Sequence, residues 1–270
     1  MIHLREITLV RDGPMPDRFP FNVPAIQTLD RLAFTSEITF LVGENGSGKS
    51  TLLETIACAA QLPTVGSESV DTDPTLAATR QLSQHLRWTW NKRTRRGFFM
   101  RAEDFFGYAK SVVRTRQGLA DDLEDIEARY GEHKGKGALD LMKLPFRGEL
   151  HALDQRYGAG LDAQSHGESY LKLFRSRFVP DGLYLLDEPE APLSPLHQLS
   201  FLAMLKLMVD QGAQFIIASH SPIILAYPGA TILSFDDGEI RPADYDSLEH
   251  VTIMRTFLND PQSYLRHLLA

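Results

Sequence analysis

The chain has 270 residues, 43% of them hydrophobic and 23% charged, which suits one large domain, or one domain with an insertion, around a sizeable core. No apolar run approaches the roughly 20 residues that a spanning helix needs, and charges interrupt the first ten residues, so neither a membrane span nor a secretory leader is expected. The net charge of −7 is uneven, because Arg87 to Arg116 holds nine basic residues against two acids, making that stretch +7 and the remainder −14.

In chain order, Ile2 to Val10 alternates as a strand. A Pro-rich loop from Gly13 to Pro24 carries Phe19 and Phe21. Glu37 to Val42 reads as a buried strand, and Lys49 to Gln61 as a helix without internal Gly or Pro. The single cysteine, Cys58, falls in that helix as a small core residue and fits a reducing, cytoplasmic setting. Gly66 to Pro74 is polar and turn-rich. Leu86 to Trp90 and Gly97 to Arg101 read as two short strands around the basic cluster, Asp104 to Tyr130 as a helix, and Gly131 to Gly137 as a break. Ser165 to Arg177 is helical, Leu183 to Leu186 a buried strand, Ser194 to Gln211 a helix and Gln214 to Ala218 another buried strand. Thr231 to Phe235 and Glu239 to Arg241 flank Asp236-Asp237-Gly238, a hairpin signal. Strands alternating with helices imply an α/β fold with a mainly parallel sheet covered on both faces. The alternation breaks between 75 and 160, so 1–74 and 161–270 are expected to form a core and 75–160 a largely helical inserted sub-domain.

Gly43 to Ser50 reads GENGSGKS, a full match to the phosphate-loop pattern, between a predicted strand and a predicted helix. Gly43, Gly46 and Gly48 let backbone N–H groups curl around a phosphate, with Glu44, Asn45 and Ser47 between them and Thr51 behind in the first helical turn. The helix N-terminus adds partial positive charge. Lys49 is placed to meet β- and γ-phosphates, and the Ser50 hydroxyl to ligate Mg²⁺. Leu183 to Pro189 reads LYLLDEP, which puts Asp187 at the carboxyl end of a buried strand as a second Mg²⁺ group. Glu188, next in the chain, is the candidate general base toward an attacking water. Ile216 to Pro222 reads IIASHSP and brings His220 to the same sheet edge, within reach of a γ-phosphate.

Phosphate loop, Asp187-Glu188-Pro189 and Ser219-His220, in that order, resemble the ABC-type ATPases. The resemblance implies an ABC-type P-loop NTPase fold with N-terminal antiparallel strands and a helical insertion, ATP and Mg²⁺ as ligands, and a head-to-tail homodimer around two ATP molecules. Gln164 to Tyr170 (QSHGESY) looks like a variant of the family's Leu-Ser-Gly-Gly-Gln signature. It implies that Ser165 and Gly167 meet the γ-phosphate held by the other subunit, with His166 and Glu168 standing where Gly and Gln are usual. The family's polar residue at the sub-domain junction, which touches Mg²⁺, corresponds best to Glu103. An adenine-stacking aromatic corresponds to Phe19 or Phe21, although core packing is the weightier reading of both. Glu190-Ala191-Pro192-Leu193-Ser194 differs from the Thr-Ser-Ala-Leu-Asp type of loop of transporter cassettes. It is similar to the soluble SMC- and RecF-like branch.

The basic segment interleaves Arg and Lys with Trp88, Trp90, Phe98 and Phe99, a composition that suits nucleic acid. The competing reading is a two-stranded ribbon with its aromatics in the core, and a third is an acidic protein partner. The expected function is a soluble ATPase whose dimer closes on ATP, hydrolyses it and acts on a partner, with nucleic acid as one candidate. The alternatives are the nucleotide-binding subunit of a membrane transporter and a slow ATP-sensing switch on a toxin or nuclease partner.

Overall fold

The computed structural model describes every residue except 12, 14, 66–68, 102–103, 132–134, 158–165 and 270. The first part of the chain forms β1 (Leu4–Leu9), α1 (Pro24–Gln27), β2 (Arg31–Ala33), β3 (Ile38–Val42), α2 (Lys49–Ala60) and α3 (Ala77–Gln84). Two strands and two long helices follow: β4 (Leu86–Trp90), β5 (Gly97–Met100), α4 (Asp104–Tyr130) and α5 (Lys136–Tyr157). The last third gives α6 (His166–Arg177), β6 (Leu183–Asp187), α7 (Pro195–Asp210), β7 (Gln214–Ala218) and α8 (Pro222–Leu225). It closes with β8 (Thr231–Ser234), β9 (Arg241–Pro242), α9 (Glu249–Asn259) and α10 (Pro261–Leu268).

The main sheet has the order β5-β6-β7-β3-β8-β9 and is parallel up to β8, with the β8–β9 hairpin antiparallel. Every residue of β3, β6 and β7 is buried. Helices lie on both faces of a sheet built this way, so unbroken apolar strands are what the architecture demands. One face packs against α2 and the small sheet through Leu52, Ile56, Leu185 and Ile216. The other packs against α6 and α7, where Phe174 lies 5.0 Å from Phe201 and 6.2 Å from Phe98. Each such buried ring contributes about 1.5–3 kcal/mol relative to exposure.

A second, antiparallel sheet has the order β2-β1-β4, with Ile7 opposite both Leu32 and Trp88. One buried amide ties it to the main sheet. Gln214 of β7 accepts the N–H groups of His3 and Leu4 at 2.8 Å each and donates to Leu4 O at 3.0 Å.

The structure corrects one expectation. β4 and β5 do not form a ribbon with each other: β4 pairs with β1 and β5 pairs in parallel with β6. Gly97 opens β5 at φ +116°, a conformation that favours glycine, with Leu183 against its backbone. The aromatics do turn inward, Phe98 and Phe99 buried and Trp88 and Trp90 packed on the core. Strands thus enter both sheets from residues up to Met100, inside the span expected as the insertion. Beyond them α4 and α5 form a helical hairpin pinned by ion pairs of Lys143 with Glu127 and of Arg116 with Asp154 at 3.0 Å. The hairpin expected around Asp236-Asp237-Gly238 is formed by β8 and β9. Cys58 is buried in α2, and burial pushes its thiol up to about 11.

Candidate functional site

The site begins where β3 ends. Gly43, Gly46 and Gly48 have φ of +137°, +82° and +108°, so three left-handed residues curl the backbone into α2. A Cβ on Gly48 would lie 2.7 Å from Val23 Cγ1, which leaves no room for another residue. Gly48 is also the N-cap of α2 and brings no side-chain acceptor, so the first-turn N–H groups stay available. Glu44 and Asn45 are exposed at the loop tip, Ser50 is exposed and Thr51 buried in the first turn of α2. Ser47 Oγ is buried and has no partner among the protein atoms.

Lys49 is 6% exposed. Its Nζ donates to Gly43 O at 2.6 Å and to Glu44 O at 2.8 Å, which folds the ammonium back over the loop. Burial pulls its pKa below the ordinary lysine value, against the fields of Asp187, Glu188 and Asp236. Asp236, past the end of β8, accepts the Glu44 N–H at 3.2 Å.

Asp187 is the last residue of β6, buried, and in register with Ala218 of β7. Glu188 follows at φ +47°, a left-handed turn that carries the chain away from the strand while its N–H still donates to Ala218 O at 2.9 Å. Two residues beyond the end of β7 stands His220, half-buried, its Nε2 without a protein partner. Burial, and then the charge of Lys49, pull its pKa below the ordinary histidine value. Because β6, β7 and β3 are adjacent and parallel, Asp187, His220 and the loop share one sheet edge. Carboxyl ends of parallel strands are where such sheets bind ligands.

A cavity of about 1080 Å³ runs along the loop, lined by Gly43 to Ser47, His220, Asp236 and, from α9, Glu249 and His250. The His220 and His250 rings lie 6.3 Å apart. His250 carries no sequence signal, and Asp236 carries only the turn signal of Asp236-Asp237-Gly238, which says nothing of a place beside the loop. Glu190 is the third omission: Oε1 accepts from Ser219 Oγ at 2.9 Å and from His220 N at 2.6 Å. Its signal was the third carboxylate of Asp187-Glu188-Pro189-Glu190.

Ser165 and Glu103 lie outside the described residues, as does Gln164. Gly167 is the second residue of α6. Phe21 is buried in the core, edge-on to His85 at 5.0 Å, while Phe19 is exposed. Ser194 caps α7, accepting from His197 N at 3.4 Å.

A cradle of left-handed glycines, a helix N-terminus, a buried lysine and a hydroxyl next to it suit a nucleotide triphosphate. Among the described residues no group of three or more His, Cys, Asp or Glu could hold a metal alone. Among the described residues, Ser50 and Asp187 are the ones that would hold a Mg²⁺ here, together with the nucleotide's own oxygens.

This fold with this edge defines a P-loop ATPase. The family model described as ABC transporter matches residues 29–191, and the chain belongs to that family as an ABC-type ATPase domain. Similar curated proteins include the ribose import ATP-binding protein RbsA 1 of Burkholderia thailandensis, 26% identical over 212 residues, covering 75% of this chain and 37% of the relative. The nisin transport ATP-binding protein NisT of Lactococcus lactis is 26% identical over 226 residues, covering 82% of this chain and 34% of the relative. The chain thus spans little more than a third of the length of these two relatives. Among solved structures, the Smc head domain of Pyrococcus furiosus aligns with a TM-score of 0.46 at 12% identity, covering 97% of this chain and 100% of that one.

Proposed function

We propose that the chain binds MgATP along Gly43 to Thr51, closes head-to-tail on a second copy, and hydrolyses the nucleotide. The observation that carries this reading is the shared edge of β6, β7 and β3, which gathers Lys49, Asp187, Glu188 and His220. Loop N–H groups and Lys49 hold the β- and γ-phosphates, so that charge developing on the transferred group meets fixed donors. Glu188 takes a proton from the attacking water as its oxygen bonds the γ-phosphorus and the bond to the bridging oxygen breaks, leaving ADP and phosphate. His220 donates to the γ-phosphate and senses its loss. Mg²⁺, when bound, neutralises phosphate charge. Ser165 and Gly167 of the facing domain complete the site in the family's manner.

The names of the relatives, ribose import and nisin transport ATP-binding proteins, support a transmembrane partner as the recipient of this work. No described helix is itself long and apolar enough to cross a membrane, so the span would come from elsewhere. Several charges of the Arg87–Arg116 segment are engaged locally, which leaves fewer of them for nucleic acid. Lys92 pairs with Asp181 at 3.1 Å, Arg93 donates to Ala59 O, and Arg101 lies 3.4 Å from both Glu54 and Asp73. The test is ATPase activity of the purified chain, alone, with DNA, and with the membrane proteins that co-purify with it. Stimulation by a co-purifying membrane protein supports the transporter reading. Stimulation by DNA alone, with an affinity that falls steeply as salt rises, overturns it.

A further inference from the structure

The turn Ser219-His220-Ser221 is gripped by two side chains, Glu190 from the link between β6 and α7 and Gln198 from the first turn of α7. Glu190 Oε1 accepts both the Ser219 hydroxyl at 2.9 Å and the His220 N–H at 2.6 Å. Gln198 Oε1 accepts the Ser221 hydroxyl at 2.5 Å, while Gln198 Nε2 donates to Leu193 O at 3.1 Å and so fixes its own orientation. Ser221 N in turn donates to Ser219 Oγ at 3.1 Å, closing the network. The link starts at Glu188, so Glu190 lies two residues and Gln198, in α7, ten residues along the chain from the candidate base.

The chemistry is costly in any role limited to stability. Glu190 is largely buried, among the described residues no cation is bonded to it and its Oε2 has no partner, and Glu188 stands two residues away. A carboxylate in that place destabilises relative to an apolar side chain, and its return is a fixed geometry for the groups it bonds.

We propose that Glu190 and Gln198 are positioning residues that hold His220 at the nucleotide edge and tie its placement to the Glu188 segment. This rests on the nucleotide-site reading above. A side chain displaced by about 1 Å in such a site slows reaction about 10²-fold without abolishing binding.

The experiment uses the full chain with Glu190→Ala, Glu190→Gln and Gln198→Ala, measuring amide hydrogen exchange at residues 219–221, ATP affinity by calorimetry and single-turnover hydrolysis. Glu190→Ala is expected to lose exchange protection at His220 and to hydrolyse roughly 10- to 100-fold more slowly, with ATP affinity within about twofold of wild type. Glu190→Gln keeps an oxygen that can accept both bonds and is expected to retain protection and most of the rate. Gln198→Ala, which leaves Glu190 in place, is expected to fall between them and carries the test if Glu190→Ala does not fold. Unchanged protection in both alanine variants overturns the grip, and lost protection with wild-type turnover overturns the positioning role. A Glu190→Gln rate as low as that of Glu190→Ala also overturns it, since charge and not placement would then matter. A wild-type chain that binds no ATP overturns the nucleotide reading instead, while its exchange pattern still reports the grip.

Discussion

Lys49 is a buried ammonium with two carbonyl acceptors, and the fields of three carboxylates act against its desolvation. Removing it takes away the one cation of the loop, so Lys49→Ala should lower ATP affinity at least about 10²-fold in calorimetry, the weight of a charge-assisted contact to phosphate. His220 and His250 yield a pH prediction. Burial is the first cause in both of a pKa below the ordinary histidine value of about 6.5. The unfolded chain then binds protons that the folded chain refuses, so their contribution to stability is complete above pH 6.5 and lost as pH falls from there through the folded values. Melting temperature should drop between about pH 7 and 5.5, and His250→Gln, neutral throughout, should flatten part of that drop; an equal slope in the variant would remove His250 from the account. At this scale the sequence was informative where a residue type is rare in its setting. A lysine after four loop residues and a glycine, or Asp187 and His220 closing apolar strands, stands out without coordinates. The contacts of Glu190 with Ser219 and His220, of Asp236 with Glu44 and of His250 with His220 do not, because those partners lie 29 or more residues away and depend on which strands become neighbours.

Among the elements, β3, β6, β7, α2 and α7 were legible because burial on both faces of the sheet forces unbroken apolar runs, and because helices 12 or 16 residues long carry their own period. The pairing of β4 and β5 was not. Two short strands separated by a few residues read as a ribbon, and the opposite outcome is set by Gly97 and by a free edge on β6. A Cβ at Gly97 would lie 1.8 Å from Leu183 O, at a φ of +116°. Gly97→Ala should therefore cost roughly 2–4 kcal/mol, from backbone strain and from forced separation of β5 and β6. Chemical denaturation measures it, and a loss under about 0.5 kcal/mol would mean that β5 is not held as described. Helices α9 and α10 went unread as well, since short amphipathic segments beyond the last motif offer little but composition.

Across the whole molecule, one domain presents half of the proposed reaction. Lys49, Asp187, Glu188 and His220 belong to one chain, while the signature start at Ser165 and Gly167 is proposed to act on the site of a facing domain. Ser165→Arg should then leave nucleotide binding by the single domain intact and block ATP-dependent pairing, read as unchanged calorimetry with no change in hydrodynamic radius. The most direct measurement is the light-scattering mass of Glu188→Gln with and without MgATP. This substitution keeps shape and hydrogen bonding, removes the base, and should slow hydrolysis about 10²-fold or more. The account predicts a single-chain mass without nucleotide and twice that mass with MgATP, persisting because the product state is not reached. A variant that binds ATP in calorimetry yet keeps the single-chain mass, or that turns over at the wild-type rate, would contradict it.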